Sequence, residues 1–149
     1  MCYLMHFLSF NIRGLVGPTK QRALKILLDE VHPDLIFLQE TMCSRYQTLQ
    51  NFAKIYLKWE YYATDSLGIF GGLLTGWKLV LVHCKEFNTV AGILVSVRFR
   101  GSTYFWNCLN CYAPYQNREV FWNAAVEERI VNLQNLIIAG DLNFTIFYA

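Results

Sequence analysis

The sequence predicts a mixed α/β class (α+β) with a mixed or antiparallel sheet, and three observations predict it. An apolar run, an amphipathic stretch and a second apolar run open the chain in the order strand, helix, strand. From residue 59 to residue 112, short segments rich in β-branched and aromatic residues follow one another. A helical stretch and a last apolar strand then lead to "GDLN" (140–143).

Taken in order, "YLMHFLSFN" (3–11) has the length and apolarity of a strand, and "GLVGP" (14–18) is a loop. Thr19 can cap a helix running to about His32, with Ala23, Ile26, Leu27 and Val31 as its buried stripe. Pro33 ends it, and "DLIFLQE" (34–40) is a second buried strand, so a βαβ unit opens the chain. "SRYQTLQNFAKIY" (44–56) is a second helix, with Tyr46, Leu49, Phe52, Ala53 and Tyr56 on one side. "WEYYAT", "GGLLTGW", "KLVLVHC", "TVAGILVSVRF" and "TYFWNCLNCY" are successive strand candidates, and "RGS" (100–102) suits a hairpin turn. "NREVFWNAAVEERIVNLQ" (117–134) is a third helix and "NLIIAGDLN" (135–143) the last strand. Trp77, Trp106 and Trp122 read as core or layer packing.

A length of 149 residues suits one domain, 1–149, without internal repeat or linker. Hydrophobic residues make up 54% and charged residues only 16%, which excludes a disordered chain and leaves apolar surface needing a partner layer. The net charge of +2 and the lack of a Lys/Arg cluster give no electrostatic argument for nucleic acid, so any such function must rest on site residues. The start "MCYLMHFLSF" has no basic region or small-residue cleavage site, and the five cysteines are odd in number. Reduced thiols in the nucleus or cytoplasm fit, and secretion does not. Cys108 and Cys111 form a C-x-x-C, which reads either as a zinc site or as two half-buried strand thiols; residues three apart on a strand face opposite ways, favouring the second. The apolar stretch 67–84 is interrupted by Lys78 and three glycines, which favours strands over a membrane span.

Three apolar strands end in polar residues: the first in Asn11, the second in Glu40, the last in Asp141 and Asn143. Ligand sites often lie at the carboxyl ends of strands. Period-two alternation puts Asp141 and Asn143 on one face, and Gly140 before them permits a close backbone or ligand approach. Oxygen donors without a nearby thiol or imidazole suit a hard cation such as Mg²⁺, with Glu40 as ligand. "NCYAP" (110–114) puts Asn110 and Tyr112 on a common strand face, where amide and hydroxyl can bind phosphate oxygens, and Pro114 fixes the exit from the strand. Singly, each has an ordinary reading: Glu40 as a solvated loop start, Asp141 with Asn143 as a turn, Tyr112 as a half-buried strand residue. The ordered set carries the functional reading.

That set resembles the endonuclease/exonuclease/phosphatase superfamily, with its deoxyribonuclease I-like, four-layer αββα sandwich. "LSFNIRGL" (8–15), "PDLIFLQET" (33–41), "NCYAP" and "GDLN" match its motifs in order, over about Leu8 to Thr145. "GGLLTGWK" (71–78) and "YAPYQNREVFW" (112–122) look most like the endonuclease of plant non-LTR (LINE-type) retrotransposons. The resemblance implies cleavage of phosphodiester or phosphomonoester bonds with Mg²⁺ (or Mn²⁺). It implies Glu40 and Asn11 on the metal side, Tyr112 on the scissile phosphate, Asp141 on the attacking water, and Asn143, with Asn110 and Tyr112, on phosphoryl oxygens.

The family continues past "GDLN" to a Ser-Asp-His-like motif, and this sequence ends at Ala149. His6, His32 and His83 do not resemble that motif. Losing a general acid/base costs about 10²–10⁴-fold and a charge-stabilising donor about 10²–10³-fold. The expectation is the N-terminal portion of the sandwich, little more than one sheet and its helices, C-terminally truncated, with a large apolar sheet face exposed and weak or no activity. Three functions stay open. One is a Mg-dependent DNA-cutting endonuclease of retrotransposon type, with a phosphatase on inositol phosphates or lipids as the variant within the class. Another is a metal- and phosphate- or nucleic-acid-binding remnant. The last is a half-domain completed by a C-terminal half or by self-association. DNA is the expected substrate and no membrane partner is expected.

Overall fold

The computed structural model describes residues 4–55, 58–67, 70–89, 91–113 and 115–143. The expectations for Tyr56, Pro114, Thr145 and Ala149 lie outside them, as does the His83 side chain.

The opening βαβ unit forms as expected. β1 (Phe7–Asn11) and β2 (Leu35–Gln39) pair in parallel, with α1 (Pro18–Val31) crossing between them. α2 (Arg45–Ile55) leads to β3 (Trp59–Ala63), the two-residue strands β4 (Ser66–Leu67) and β5 (Phe70–Gly71), and β6 (Leu73–Lys78). One four-stranded sheet has the order β1-β2-β6-β3, with β6 antiparallel to both neighbours.

A second sheet is the main departure from expectation. β7 (Leu81–Asn88), β8 (Gly92–Phe99) and β9 (Trp106–Tyr112) form an antiparallel meander. β10 (Leu136–Asp141) then returns parallel to β9 after α3 (Arg118–Glu127), giving the order β10-β9-β8-β7. The two sheets pack face to face. Leu35 and Phe37 of β2, Leu73 and Trp77 of β6, and Ile93, Val95, Val97 and Cys108 of the second sheet form one core. Alternation on the same strands sends Ile36, Leu38 and Leu74 outward to Leu24, Leu28 and Phe52 of α1 and α2. Leu94, Leu109 and Cys111 turn outward to Phe121 and Ala125 of α3 and to Ile130 in a short 3-10 turn. The layers run helix, sheet, sheet, helix. The expected bare sheet face is therefore covered, and the 54% apolar content is used in three cores rather than left on a surface.

Helix details also differ. α1 starts at Pro18, with Gly17 as N-cap and no side-chain cap, so Thr19 sits in the first turn. Leu24 and Leu28 face the sheet, whereas Ile26 and Val31 are exposed. On α2, Phe52 and Thr48 are buried and Tyr46 is exposed. The third helix stops at Glu127, seven residues short of its expected end, because Arg129 turns left-handed (φ 57°) and the chain drops into the 3-10 turn. Residues 99–102 make the expected tight turn, with Gly101 at φ 82° and the Ser102 N–H donating to the Phe99 carbonyl. Trp77 is buried, while Trp122 is 38% exposed, edge-on to Phe121. Cys108 and Cys111 lie in different cores, on opposite faces of β9. Burial pushes both thiols up to about 12, so neither is a ready metal ligand. No described helix is long and apolar enough to cross a membrane.

Candidate metal and phosphate site

Each sheet ends in one parallel pair, β1 with β2 and β9 with β10, and these pairs adjoin across the sandwich. Asn11 is registered with Gln39, the residue before Glu40, and Asp141 with Tyr112. The packing therefore brings four strand ends to one place. Asn11, Glu40, Tyr112, Asp141 and Asn143 are all half-buried there.

Hydrogen bonds join three of them across the two sheets. The Asn11 amide donates to Asp141 Oδ2 at 2.8 Å. Asp141 Oδ1 accepts the Asn143 backbone N–H at 3.1 Å. The Asn143 side-chain amide holds the Ala113 carbonyl at 2.6 Å. Tyr112 stands beside both Asn143 and the Glu40 carboxylate. Partial burial, then the Glu40 carboxylate beside it, push Tyr112 up to about 12. The hydroxyl stays protonated at neutral pH.

The backbone is constrained at Glu40 and at Asn143. Glu40 has φ 54° and Asn143 φ 47°, a region that non-glycine residues enter at a cost of about 1–3 kcal/mol. Glu40 is held by its carbonyl, which accepts from Gly14 N at 2.7 Å, while the next residue donates from Thr41 N to Gly72 O at 3.1 Å. Gly140 has φ 145°, and a Cβ there would collide with the Cys111 carbonyl. The glycine admits neighbouring backbone rather than a ligand.

Asn110 lies elsewhere than expected. It is fully buried between the sheets, donating to Leu74 O at 2.9 Å and Thr75 Oγ1 at 3.1 Å and accepting from Gln39 Nε2 at 2.9 Å. Tyr112, two residues on, reaches the rim, but Asn110 cannot reach a phosphate. Sequence reasoning also passed over Arg13 and Lys20. Lys20 Nζ donates to the carbonyls of Ile12 at 3.2 Å and Arg13 at 3.4 Å, and both basic residues line an open cavity of about 490 Å³ beside Asn11. The signal was a basic residue two positions after Asn11. His6, which precedes β1, and His32, which follows α1, stand at the opposite end of the parallel pair from Asn11 and Glu40.

Among the described residues no three His, Cys, Asp or Glu cluster. The donor set is Glu40, Asp141 and the Asn11 amide oxygen, all hard oxygen donors. Mg²⁺ commonly takes one or two protein carboxylates and fills its shell with water and phosphate, so this set fits Mg²⁺ or Mn²⁺ and not a four-ligand zinc cage.

Solved structures of similar fold include the catalytic domain of Xenopus laevis APE2, at 20% identity and TM-score 0.68, covering 94% of this chain and 59% of that one. The AP endonuclease LMAP from Leishmania major matches at 17% identity and TM-score 0.70, covering 93% and 55%. D. rerio TDP2 complexed with single-strand DNA product matches at 18% identity and TM-score 0.68, covering 95% and 61%. The chain thus spans less than two thirds of each. No curated protein matches. The family model for the endonuclease/exonuclease/phosphatase family matches residues 8–148, nearly the whole length, and the chain belongs to that family.

Proposed function

We propose that this chain carries the metal- and phosphate-binding face of a Mg²⁺- or Mn²⁺-dependent phosphodiesterase that cuts DNA. The observation that supports it is the Asn11–Asp141 bond across the two sheets, extended from Asp141 to Asn143, with Tyr112 beside the Glu40 carboxylate, all at the carboxyl ends of four strands. Glu40, with the Asn11 oxygen, would hold the ion. Bound there, the ion supplies Lewis-acid stabilisation of phosphoryl charge. Asp141, fixed by the Asn11 amide, orients the attacking water and accepts its proton. The Tyr112 hydroxyl, kept protonated, donates to the scissile phosphate. The Asn143 amide beside Tyr112 is placed to turn to the same oxygens as charge develops. Arg13 and Lys20 lie where a neighbouring backbone phosphate would pass.

DNA is favoured over inositol phosphates or lipids by the retrotransposon-like segments 71–78 and 112–122 and by TDP2 with its DNA product. With DNA as substrate, the expected location is the nucleus or cytoplasm. A second reading, binding of metal and phosphate without turnover, is supported by His6 and His32 standing at the far end of β1 and β2. Nicking of supercoiled plasmid in Mg²⁺, with EDTA and Glu40→Ala as controls, separates the two. The first reading expects nicking that both controls abolish. Metal-dependent DNA binding by a folded chain that does not nick would establish the second.

A further inference from the structure

The buried amide pair Gln39–Asn110 belongs to neither core chemistry nor the site, yet it lies directly beneath the site. Gln39 is 1% exposed, Asn110 and Thr75 are fully buried, and all three sit where the two sheets meet. Gln39 Nε2 donates to Asn110 Oδ1 at 2.9 Å and to Ser9 Oγ on β1 at 3.2 Å. Asn110 Nδ2 reaches the Leu74 carbonyl at 2.9 Å, Thr75 Oγ1 at 3.1 Å and the Leu38 carbonyl at 3.5 Å. One side chain of the second sheet thus grips two adjacent strands of the first, and its partner touches a third.

An apolar interface between sheets tolerates small slides, because hydrophobic contact is non-directional. A buried amide pair does not, since any slide leaves polar groups unpaired at high cost. Gln39 is the residue before Glu40, and Asn110 is two before Tyr112, about 7 Å along the strand. Glu40 follows a strand of one sheet and Tyr112 ends a strand of the other, and beside them the Asn11–Asp141 bond crosses between the sheets at 2.8 Å. Their juxtaposition depends on how the sheets are set against each other.

We propose that Gln39 and Asn110 are positioning residues: the amide pair fixes the offset between the two sheets and thereby sets Asp141 against Glu40 and Asn11 in the geometry that binds a divalent cation. The proposal rests on the metal reading of Glu40. Outer residues that orient ligands typically contribute 10–100-fold to metal affinity or activity, and misplacement by about 1 Å can cost about 10²-fold in rate.

The test is calorimetric titration of Mn²⁺ into wild type, Glu40→Ala, Asn110→Leu and the double variant Gln39→Leu/Asn110→Leu, each with a thermal melt. Asn110→Leu leaves the buried Gln39 amide with Ser9 Oγ alone and is expected to lose stability. The double variant removes that under-bonded amide and regains part of it. The proposal expects Mn²⁺ affinity to stay about 10–100-fold weaker in the double variant despite that recovery. A purely structural role expects affinity to match wild type in any variant that folds, and that result would overturn the proposal. Should Asn110→Leu fail to fold, the double variant and Gln39→Leu decide. Wild type with no Mn²⁺ binding beyond that of Glu40→Ala would overturn the metal reading itself, and the proposal with it.

Discussion

Gly140→Ala strikes the strand that presents Asp141. Gly140 has φ 145°, and the added Cβ would meet the Cys111 carbonyl oxygen, its carbon at 2.8 Å and the Cys111 nitrogen at 3.0 Å. All three are backbone atoms of the paired strand β9, so no side chain can rotate away. Gly101→Ala is the control: φ is 82° but nothing lies within 4 Å. Backbone strain alone costs about 1–2 kcal/mol for a residue held left-handed. At Gly140 the strain term of about 1–3 kcal/mol is joined by displacement of β10 from β9, comparable with overpacking at about 1–3 kcal/mol. The sum is about 2–6 kcal/mol, a large part of the roughly 5–15 kcal/mol of a typical domain. With a urea slope of about 2 kcal/mol/M, the Gly140 midpoint should fall about 0.5–2 M further than that of Gly101→Ala. Urea unfolding followed by circular dichroism reads this. Equal midpoints for the two variants would refute the claim that Gly140 exists for backbone clearance.

Asn11→Ala removes a hydrogen bond to a carboxylate, worth about 1.5–3 kcal/mol, so the melt should fall by several degrees and nicking by an active chain about 10–100-fold; unchanged kcat would detach Asn11 from the site. Tyr112 is raised to about 12 from 10.0, so the native state holds this proton more tightly than the unfolded chain. Its stabilising contribution is complete below pH 10 and lost between pH 10 and 12, so wild type should lose more stability across that window than Tyr112→Phe in paired urea titrations. Cys108 and Cys111, each about 12, should resist alkylation in the native chain at pH 8 and react once it is unfolded, as peptide mapping would show. Native labelling at the unfolded rate would contradict their burial.

Much of the fold was legible because the apolar runs are long and the turns chemically marked. The βαβ opening followed from two buried strands around one amphipathic stretch, and the strand-end residues followed from period two. The face of α1 was not legible. Ala23, Ile26, Leu27 and Val31 make as good a stripe as Leu24 and Leu28, and only packing against the first sheet chooses between them. The end of α3 was hidden for another reason: "VEERIVNLQ" contains no glycine or proline to mark the left-handed turn at Arg129. Asn110 misled because period two gives a shared face, not a shared depth. It and Tyr112 point the same way, but one meets the opposite sheet and the other the rim. The second sheet was present as strand candidates, yet nothing local in 81–112 says whether those strands extend the first sheet or stack on it.

On the proposed reading, five residues from two sheets form one divalent-cation and phosphate site. Paramagnetic Mn²⁺ titrated into the isotope-labelled chain, with amide signals followed by NMR, tests this. Selective broadening at Asn11, Glu40 and Asp141 and their sequence neighbours, absent in Glu40→Ala, is the predicted result. Broadening centred on surface acids such as Asp29 or Asp65, with the strand ends untouched, would contradict it.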